Sequence, residues 1–395
     1  MTTRLYYLDP YRTTFDASVT TPVAVGDRQH VVLDQTAFYP TSGGQPFDTG
    51  TLGPARVLEV IDHDDHITHV IDRAVDAGAR VTGVIDWTRR FDHMQQHTGQ
   101  HVLSAAFDRL MQARTESFHL GALSATIDLA KEVSAKDILT AEDEANRIVW
   151  EDRPVSVRVA AADEVASLPL RKPPTRSGPL RLIDIEDFDL SACGGTHVAR
   201  TGGIGIIAVV GAEKFRSGTR IEFVCGTRAL TRFRDWRDAF AATQRHLSVA
   251  PAELAAGVER LQTESKTLQR ATRALQERLA VHEAGALLHR GERLDDRVVV
   301  VEALDGWDAA GLKALATAAA AAEPKSAIAL LTTTAPALVV IARGREGGID
   351  ASAVLKSLIG RFGGKGGGKG DLAQAGGLIG DRAELIAVAQ EFLRA

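Results

Sequence analysis

His97 and His101 stand four residues apart in the stretch FDHMQQHTGQHVLSAAF, residues 91–107. On a helix of 3.6 residues per turn both imidazoles leave one face, a turn apart, which suits two ligands on one metal ion. About a hundred residues on, Cys193 and His197 occur in SACGGTHV. The two glycines between them let a short turn aim both side chains at one point. Three imidazoles and a thiolate form a tetrahedral donor set that favours zinc, held in a closed site by four ligands or an open one by three. The helix lacks the built-in glutamate of an H-E-x-x-H metalloprotease, since Thr98 follows His97, so peptide hydrolysis is disfavoured.

The elements that must position these residues can be read outward from them. Val102, Leu103, Ala106, Phe107 and Leu110 recur at helical spacing and give the histidine helix an apolar stripe for a core. Gly99 costs a helix roughly 1 kcal/mol against alanine, which points to close approach of another group to the backbone. Asp86 is placed to cap the helix. Ahead of it, QHVVLDQ, ARVLEVID, HITHVID and ARVTGVID read as strands of a small barrel or sandwich. The glycine-rich segment FYPTSGGQPFDTG interrupts them; its Ser42, Gly43, Gly44 and Gln45 are either a plain connector or a functional loop. His63, His66 and His69 read as exposed strand and hairpin-turn residues, not as a second metal site.

Beyond the helix, SATIDL, VSVRVA, RLIDI, IGIIAVV and RIEFVC read as strands around a polar helix near 137–150, an α+β domain with an antiparallel sheet ending near residue 230. His119 precedes Gly121 where the chain can return past the metal helix. LPLRKPPTRSGP, with Arg171, Lys172 and Arg176, is a solvated excursion or a phosphate-contacting flap. From about 231 to 294 the chain is rich in Ala, Glu, Arg, Gln and Leu, with Leu254, Leu261, Leu268 and Leu275 every seven residues. That predicts a coiled-coil-like helix or hairpin, serving self-association or an intramolecular helical pair. Residues 295–395 read as a compact α/β module. It contains GRFGGKGGGKGDLAQAGG, which is no Walker A loop but whose glycines and Arg361, Lys365 and Lys369 suit a nucleic-acid backbone.

Composition sets the outer bounds. The chain has 395 residues, 45% hydrophobic and 25% charged, as in ordinary globular proteins with several domains. No stretch approaches twenty apolar residues and the first ten do not resemble a signal peptide, so a cytoplasmic location and no membrane partner are expected. Two cysteines make no disulfide framework; Cys225, in RIEFVC, reads as a buried small apolar residue. A net charge of −5 excludes nonspecific coating of nucleic acid but not a local basic surface.

The loop FYPTSGGQPFDTG, the helix HTGQH, the turn CGGTHV and the tail GGKGGGKGD occur in the order seen in the editing half of alanyl-tRNA synthetase. The chain resembles the free-standing alanyl-tRNA editing family AlaX, in the long form with a C-terminal DHH-associated domain. The resemblance implies an α+β multidomain protein: a glycine-loop β-barrel over 1–86, a zinc-binding editing domain over 87–230, a helical segment over 231–294 and the DHH-associated α/β domain over 295–395. It implies one Zn2+ on His97, His101, Cys193 and His197, and a cleft faced by Ser42, Gly43, Gly44 and Gln45. Gly99 and Gln100 stand where synthetases often read H-T-A-T-H, and His119 where many carry glutamine, which bears on amino-acid selectivity.

The expected reaction is hydrolysis of the ester joining serine, or glycine, to tRNA for alanine. A synthetic pocket for alanine cannot strongly reject a smaller side chain or one bearing an extra hydroxyl, so a second, hydrolytic site is needed. In that scheme His119 is the candidate proton carrier and Gln100 a further catalytic group, while amides near Gly194 and Gly195 stabilise the oxyanion. Arg361, Lys365 and Lys369 meet the tRNA, and the helical and C-terminal regions can join two copies. The alternatives are a non-catalytic, zinc-stabilised tRNA-binding or dimerisation module, and a DHH-type phosphoesterase, which lacks its Asp-His-His motif here.

Overall fold

In the segment RVTGVI buried and exposed residues alternate strictly, as in a strand with one face on a core. In the computed structural model, which describes residues 1–25, 28–165, 167–172 and 178–395, this strand belongs to a closed barrel. The barrel strands are β1 (Thr14–Val25), β2 (Arg28–Leu33), β3 (Gly50–Leu52), β4 (Ala55–Asp62), β5 (Ile67–Ile71) and β6 (Arg80–Ile85). They pair in the order β1-β2-β5-β4-β3-β6. Phe15, Val31, Leu33, Phe38, Leu52 and Ile67 fill the interior. Each fully buried side chain of this size contributes about 1.5–3 kcal/mol. His69 departs from the sequence reading. It is fully buried, with Nε2 2.8 Å from Thr36 Oγ1, because β5 has all five residues turned away from solvent. His63 and His66 do lie at the hairpin, where their rings stack at 4.7 Å.

Helix α1 (Trp87–Met111) begins where Asp86 accepts from the Arg89 amide at 3.2 Å, as its sequence position predicts. It ends at Gln112, whose left-handed φ of 53° stops the helix. Val102, Leu103, Ala106 and Phe107 are fully buried, whereas Leu110 in the last turn is 48% exposed. Arg90 ties the helix to the barrel: its guanidinium, fully buried, meets the Asp48 carboxylate, with Nη1 donating to Pro10 O at 2.8 Å.

Strands β7 (Thr115–Leu120) and β8 (Ala125–Leu129) follow, then α2 (Ala135–Trp150), opened by a Ser134–Asp137 capping box. Strands β9 (Val155–Ala160), β10 (Leu180–Ile185) and β11 (Asp189–Ala192) form an antiparallel sheet. The hairpin β12 (Ile207–Phe215) and β13 (Gly218–Cys225) completes a second one, ordered β12-β13-β8-β7. Cys225 is fully buried, and a Cβ on Gly99 would sit 2.3 Å from its sulfur. That contact is the close approach for which the helix gives up alanine. These elements, with the start of helix α3 (Gly226–Leu247), belong to a compact unit spanning Met1–Ala242.

The other unit spans Thr243–Ala395. Its α4 (Leu254–Arg290) is one continuous helix of 37 residues, not a hairpin. Only its C-terminal part, through Ala280, Ala284 and Leu287, enters a core; Leu261, Leu268 and Leu275 are 57–68% exposed. The sheet contains β14 (Glu292–Leu294), β15 (Arg297–Leu304), β16 (Ser326–Thr332), β17 (Ala337–Arg343), β18 (Lys365–Gly368) and β19 (Leu372–Leu378), in the order β14-β15-β16-β17-β19-β18. Helices α5 (Ala309–Ala322), α6 (Ala351–Phe362) and α7 (Arg382–Arg394) cover it. The glycine tail is therefore not a free loop: Lys365–Gly368 is the edge strand. Cβ atoms at Gly366 or Gly368 would come within 2.2–2.3 Å of the β19 backbone.

Candidate metal centre

The four residues distant in sequence converge. One donor atom from each of His97, His101, Cys193 and His197 lies within 4.8 Å of the others. His97 Nε2 is 3.3 Å and His197 Nε2 3.4 Å from Cys193 Sγ. Zinc bonds of 2.0–2.3 Å in a tetrahedron put such donors about 3.5 Å apart, so spacing and donor chemistry both fit that ion.

The opposite ring nitrogens reinforce the fit. His97 Nδ1 is 2.8 Å from Gln45 Oε1, His101 Nδ1 3.1 Å from Asp189 Oδ2 and His197 Nδ1 3.2 Å from Thr98 Oγ1. With each Nδ1–H given to an oxygen, each Nε2 lone pair is left for the cluster. The supporting oxygens are themselves fixed. Gln45 Nε2 donates to Thr196 Oγ1, Thr98 Oγ1 donates to Met94 O, and Arg171 Nε donates to Asp189 Oδ1 at 2.6 Å. Burial opposes ionisation of the Cys193 thiol, yet the imidazoles of His97 and His197 hold it well below its ordinary range. Burial likewise brings His197 down to about 3. Burial acts against protonated His101 too, but the Asp189 hydrogen bond lifts it to about 9.

Beside the cluster is a cavity of about 400 Å³, lined by Gly43, Gln100, Thr115, Phe118, Cys193 and Gly194 among others. Gln100 Nε2 donates to Ser104 Oγ at 2.9 Å, which leaves its Oε1 without a partner among the described residues. Gly43 and Gly44 have φ of +57° and +84°, so the tight Ser42–Gln45 turn requires glycine at both central positions. Gly44 lies so close to Phe118 that a Cβ would be 2.8 Å from its carbonyl oxygen. Ser42 is exposed, and Gln45 is fully buried as a partner of His97 rather than as a surface of the cavity.

Other residues singled out in the sequence sit elsewhere. His119 is exposed, paired with Thr126. Strand alternation sends it to the opposite side from Phe118, whose ring centroid is 5.2 Å from that of His97, so it does not line this cavity. The Gly195 amide donates to Cys193 Sγ at 3.4 Å, so Gly194 alone keeps an amide without a described partner. Gly195 must lack a side chain, since a Cβ would be 2.2 Å from His97 Cε1. Arg171 and Lys172 border the cavity, and Arg176 lies outside the described residues. In the second unit, Lys365 and Lys369 are exposed and Arg361 pairs with Glu384 at 3.1 Å.

Sequence reasoning missed Thr98, Asp189 and Arg181. Asp189 precedes Cys193 by four residues in DLSAC, and a carboxylate that near a ligand turn was the available signal. Arg181 fastens the turn, Nη1 donating to Cys193 O at 2.8 Å and Gly195 O at 3.0 Å. Nothing local in the sequence marks it.

Comparison with known proteins places the chain among alanyl-tRNA editing relatives. The model "tRNA synthetases class II (A)" matches residues 12–89, "Threonyl and Alanyl tRNA synthetase second additional domain" 180–222 and "DHHA1 domain" 295–395. Alanyl-tRNA editing protein AlaX-L of Pyrococcus horikoshii is 32% identical over 408 residues, covering 100% of this chain and 99% of that protein. Alanyl-tRNA editing protein Aarsd1 of Mus musculus is 34% identical over 263 residues, 65% of this chain and 64% of that one. An alanine–tRNA ligase of Ignicoccus hospitalis is 29% identical over 402 residues, but this chain spans only 41% of it.

Proposed function

The chain belongs to the AlaX alanyl-tRNA editing proteins, and from that premise we propose that it hydrolyses mischarged tRNA for alanine in trans, in the cytoplasm, with one zinc ion on His97, His101, Cys193 and His197. The observation that carries the reading is the convergence of these four side chains, with His97, His101 and Cys193 at the wall of a cavity. Bound there, zinc supplies Lewis-acid polarisation of a substrate oxygen or, closed in by all four residues, a rigid anchor for the cavity wall.

The chain's own groups account for the rest. Gln100 Oε1 is an acceptor held in place by the Gln100–Ser104–Thr115 hydrogen bonds, and a seryl hydroxyl can donate to it. An alanyl methyl group in the same place would leave that acceptor unpaired, which favours serine over alanine. Glycine, smaller than either, meets no steric barrier. The Gly194 amide is the available donor for the developing oxyanion. Lys365, exposed on the outer edge strand, and Lys369, exposed in the turn that follows it, supply charge for the tRNA backbone, and the leucine seam of α4 is where two copies would pair.

The test is steady-state deacylation of Ser-tRNA(Ala), Gly-tRNA(Ala) and Ala-tRNA(Ala) by the full chain. Serine is expected to be removed about 100-fold faster than alanine, with Gln100→Leu narrowing the gap. Equal rates on serine and alanine would refute the role of Gln100. Retention of tRNA without turnover would favour the non-catalytic binding module.

A further inference from the structure

Strand β7 does not pair evenly with β8. Ser117 stands opposite Asp128 and Thr115 opposite Leu129, so Glu116 is an extra residue that the ladder passes over. A bulge of this kind breaks strand alternation and re-aims a side chain, and bulges gather beside functional sites. This one is at the metal cavity, whose walls include Thr115, Glu116, Ser117 and Phe118. The hydroxyls on either side are committed: Thr115 Oγ1 donates to Ser104 Oγ at 2.8 Å, and Ser117 Oγ donates to the Asp128 carboxylate. Glu116 is exposed, and its carboxylate has no hydrogen bond or ion pair among the described residues. What Glu116 offers its neighbours is its main chain, where the carbonyl oxygen accepts from Lys172 Nζ at 3.2 Å.

The charges around the cavity give this carboxylate a task. Arg171 and Lys172 line it, and a Zn2+ held by one thiolate and three neutral imidazoles keeps a net positive charge. Asp189, which pairs with Arg171, is buried behind the wall, so Glu116 is the one carboxylate among the described lining residues. A cationic substrate group is favoured in such a field only beside that anion. An aminoacyl ester carries one, the α-ammonium, on the carbon next to the ester carbonyl. In a seryl ester the hydroxyl is on the adjoining carbon, and the protein mirrors that adjacency: the chain Gln100–Ser104–Thr115 that fixes the hydroxyl acceptor ends on the residue next to Glu116.

We propose that Glu116 binds the α-ammonium of the aminoacyl ester, and that through it the protein takes tRNA bearing a free amino acid and refuses tRNA whose amine is acylated, as in a peptidyl ester. An acylated amine carries no charge, so it forfeits the charge-assisted hydrogen bonds that an ammonium makes to a carboxylate. The inference rests on the deacylase reading above and deepens it: Gln100 tells serine from alanine, whereas Glu116 tells an aminoacyl ester from an amide-capped one.

The test pairs Glu116→Gln with a blocked substrate, using the full-length protein. Steady-state deacylation is measured on Ser-tRNA(Ala) and N-acetyl-Ser-tRNA(Ala), and binding on the same two forms with a 3′-amide in place of the ester. Glu116→Gln is expected to raise KM and Kd about tenfold for the free amine, with kcat unchanged and both acetylated forms unaffected. Equal losses on the free and acetylated forms, no loss on either, or a fall in kcat at constant KM overturns the ammonium site, while wild-type turnover leaves the deacylase reading standing. Amine-selective binding that the variant loses, in a protein that hydrolyses neither ester, keeps the ammonium site and removes the deacylase reading.

Discussion

His97 Nδ1 and Gln45 Oε1 lie 2.8 Å apart, joining the metal helix to the barrel's glycine loop across 52 residues of sequence. The same oxygen accepts from the Thr196 amide at 3.2 Å, so one side chain sets both the tautomer of His97 and the position of the Cys193–His197 turn. Gln45→Leu is therefore expected to weaken zinc about 10–100-fold with the fold retained, read by competition with a chromogenic chelator. Unchanged affinity would reduce Gln45 to a packing residue.

Arg90 and Asp48 form an ion pair without solvent contact, and Asp48 also accepts from the Tyr39 amide at 2.6 Å. Removing one partner leaves the other charge buried. Asp48→Ala should cost about 3–5 kcal/mol in denaturant unfolding, far more than loss of the exposed Arg273–Glu277 pair.

Gly99 and Cys225 should be coupled. Gly99→Ala alone places a methyl group against the sulfur and should destabilise by about 1–3 kcal/mol despite the better helix propensity. In the Gly99→Ala, Cys225→Ala double variant most of that loss should return. A strictly additive double-mutant cycle would contradict the contact.

Burial lowers His69 to about 4. The unfolded chain, with histidine near 6.5, binds the proton more readily, so His69 contributes full stability above pH 6.5 and loses it as pH falls through 6.5 toward 4. At pH 5 the loss is about 2 kcal/mol. His69→Gln should show a correspondingly shallower fall in unfolding free energy between pH 7 and 5. Parallel pH profiles would refute the assignment.

What could be read from the sequence was what is local or chemically distinctive. The four converging side chains, the Asp86 cap, the alternating barrel strands and the close approach at Gly99 each announce themselves within a few residues. The partners of the imidazoles do not: Thr98 reaches His197 and Arg181 reaches Cys193 only once the sheets have assembled. His69 looked exposed because an apolar run and a turn sit beside it, while burial on a strand depends on what covers each face. The tail GGKGGGKGD suggested a phosphate loop because glycine permits one, but glycine also permits two strands to approach without side chains between them, and Lys365–Gly368 uses it that way.

The most direct measurement takes zinc content and Ser-tRNA(Ala) turnover on the same preparations of wild type and Cys193→Ala. The account predicts one zinc per wild-type chain, with metal and turnover lost together in the variant. Turnover in the metal-free variant equal to that of wild type would contradict it.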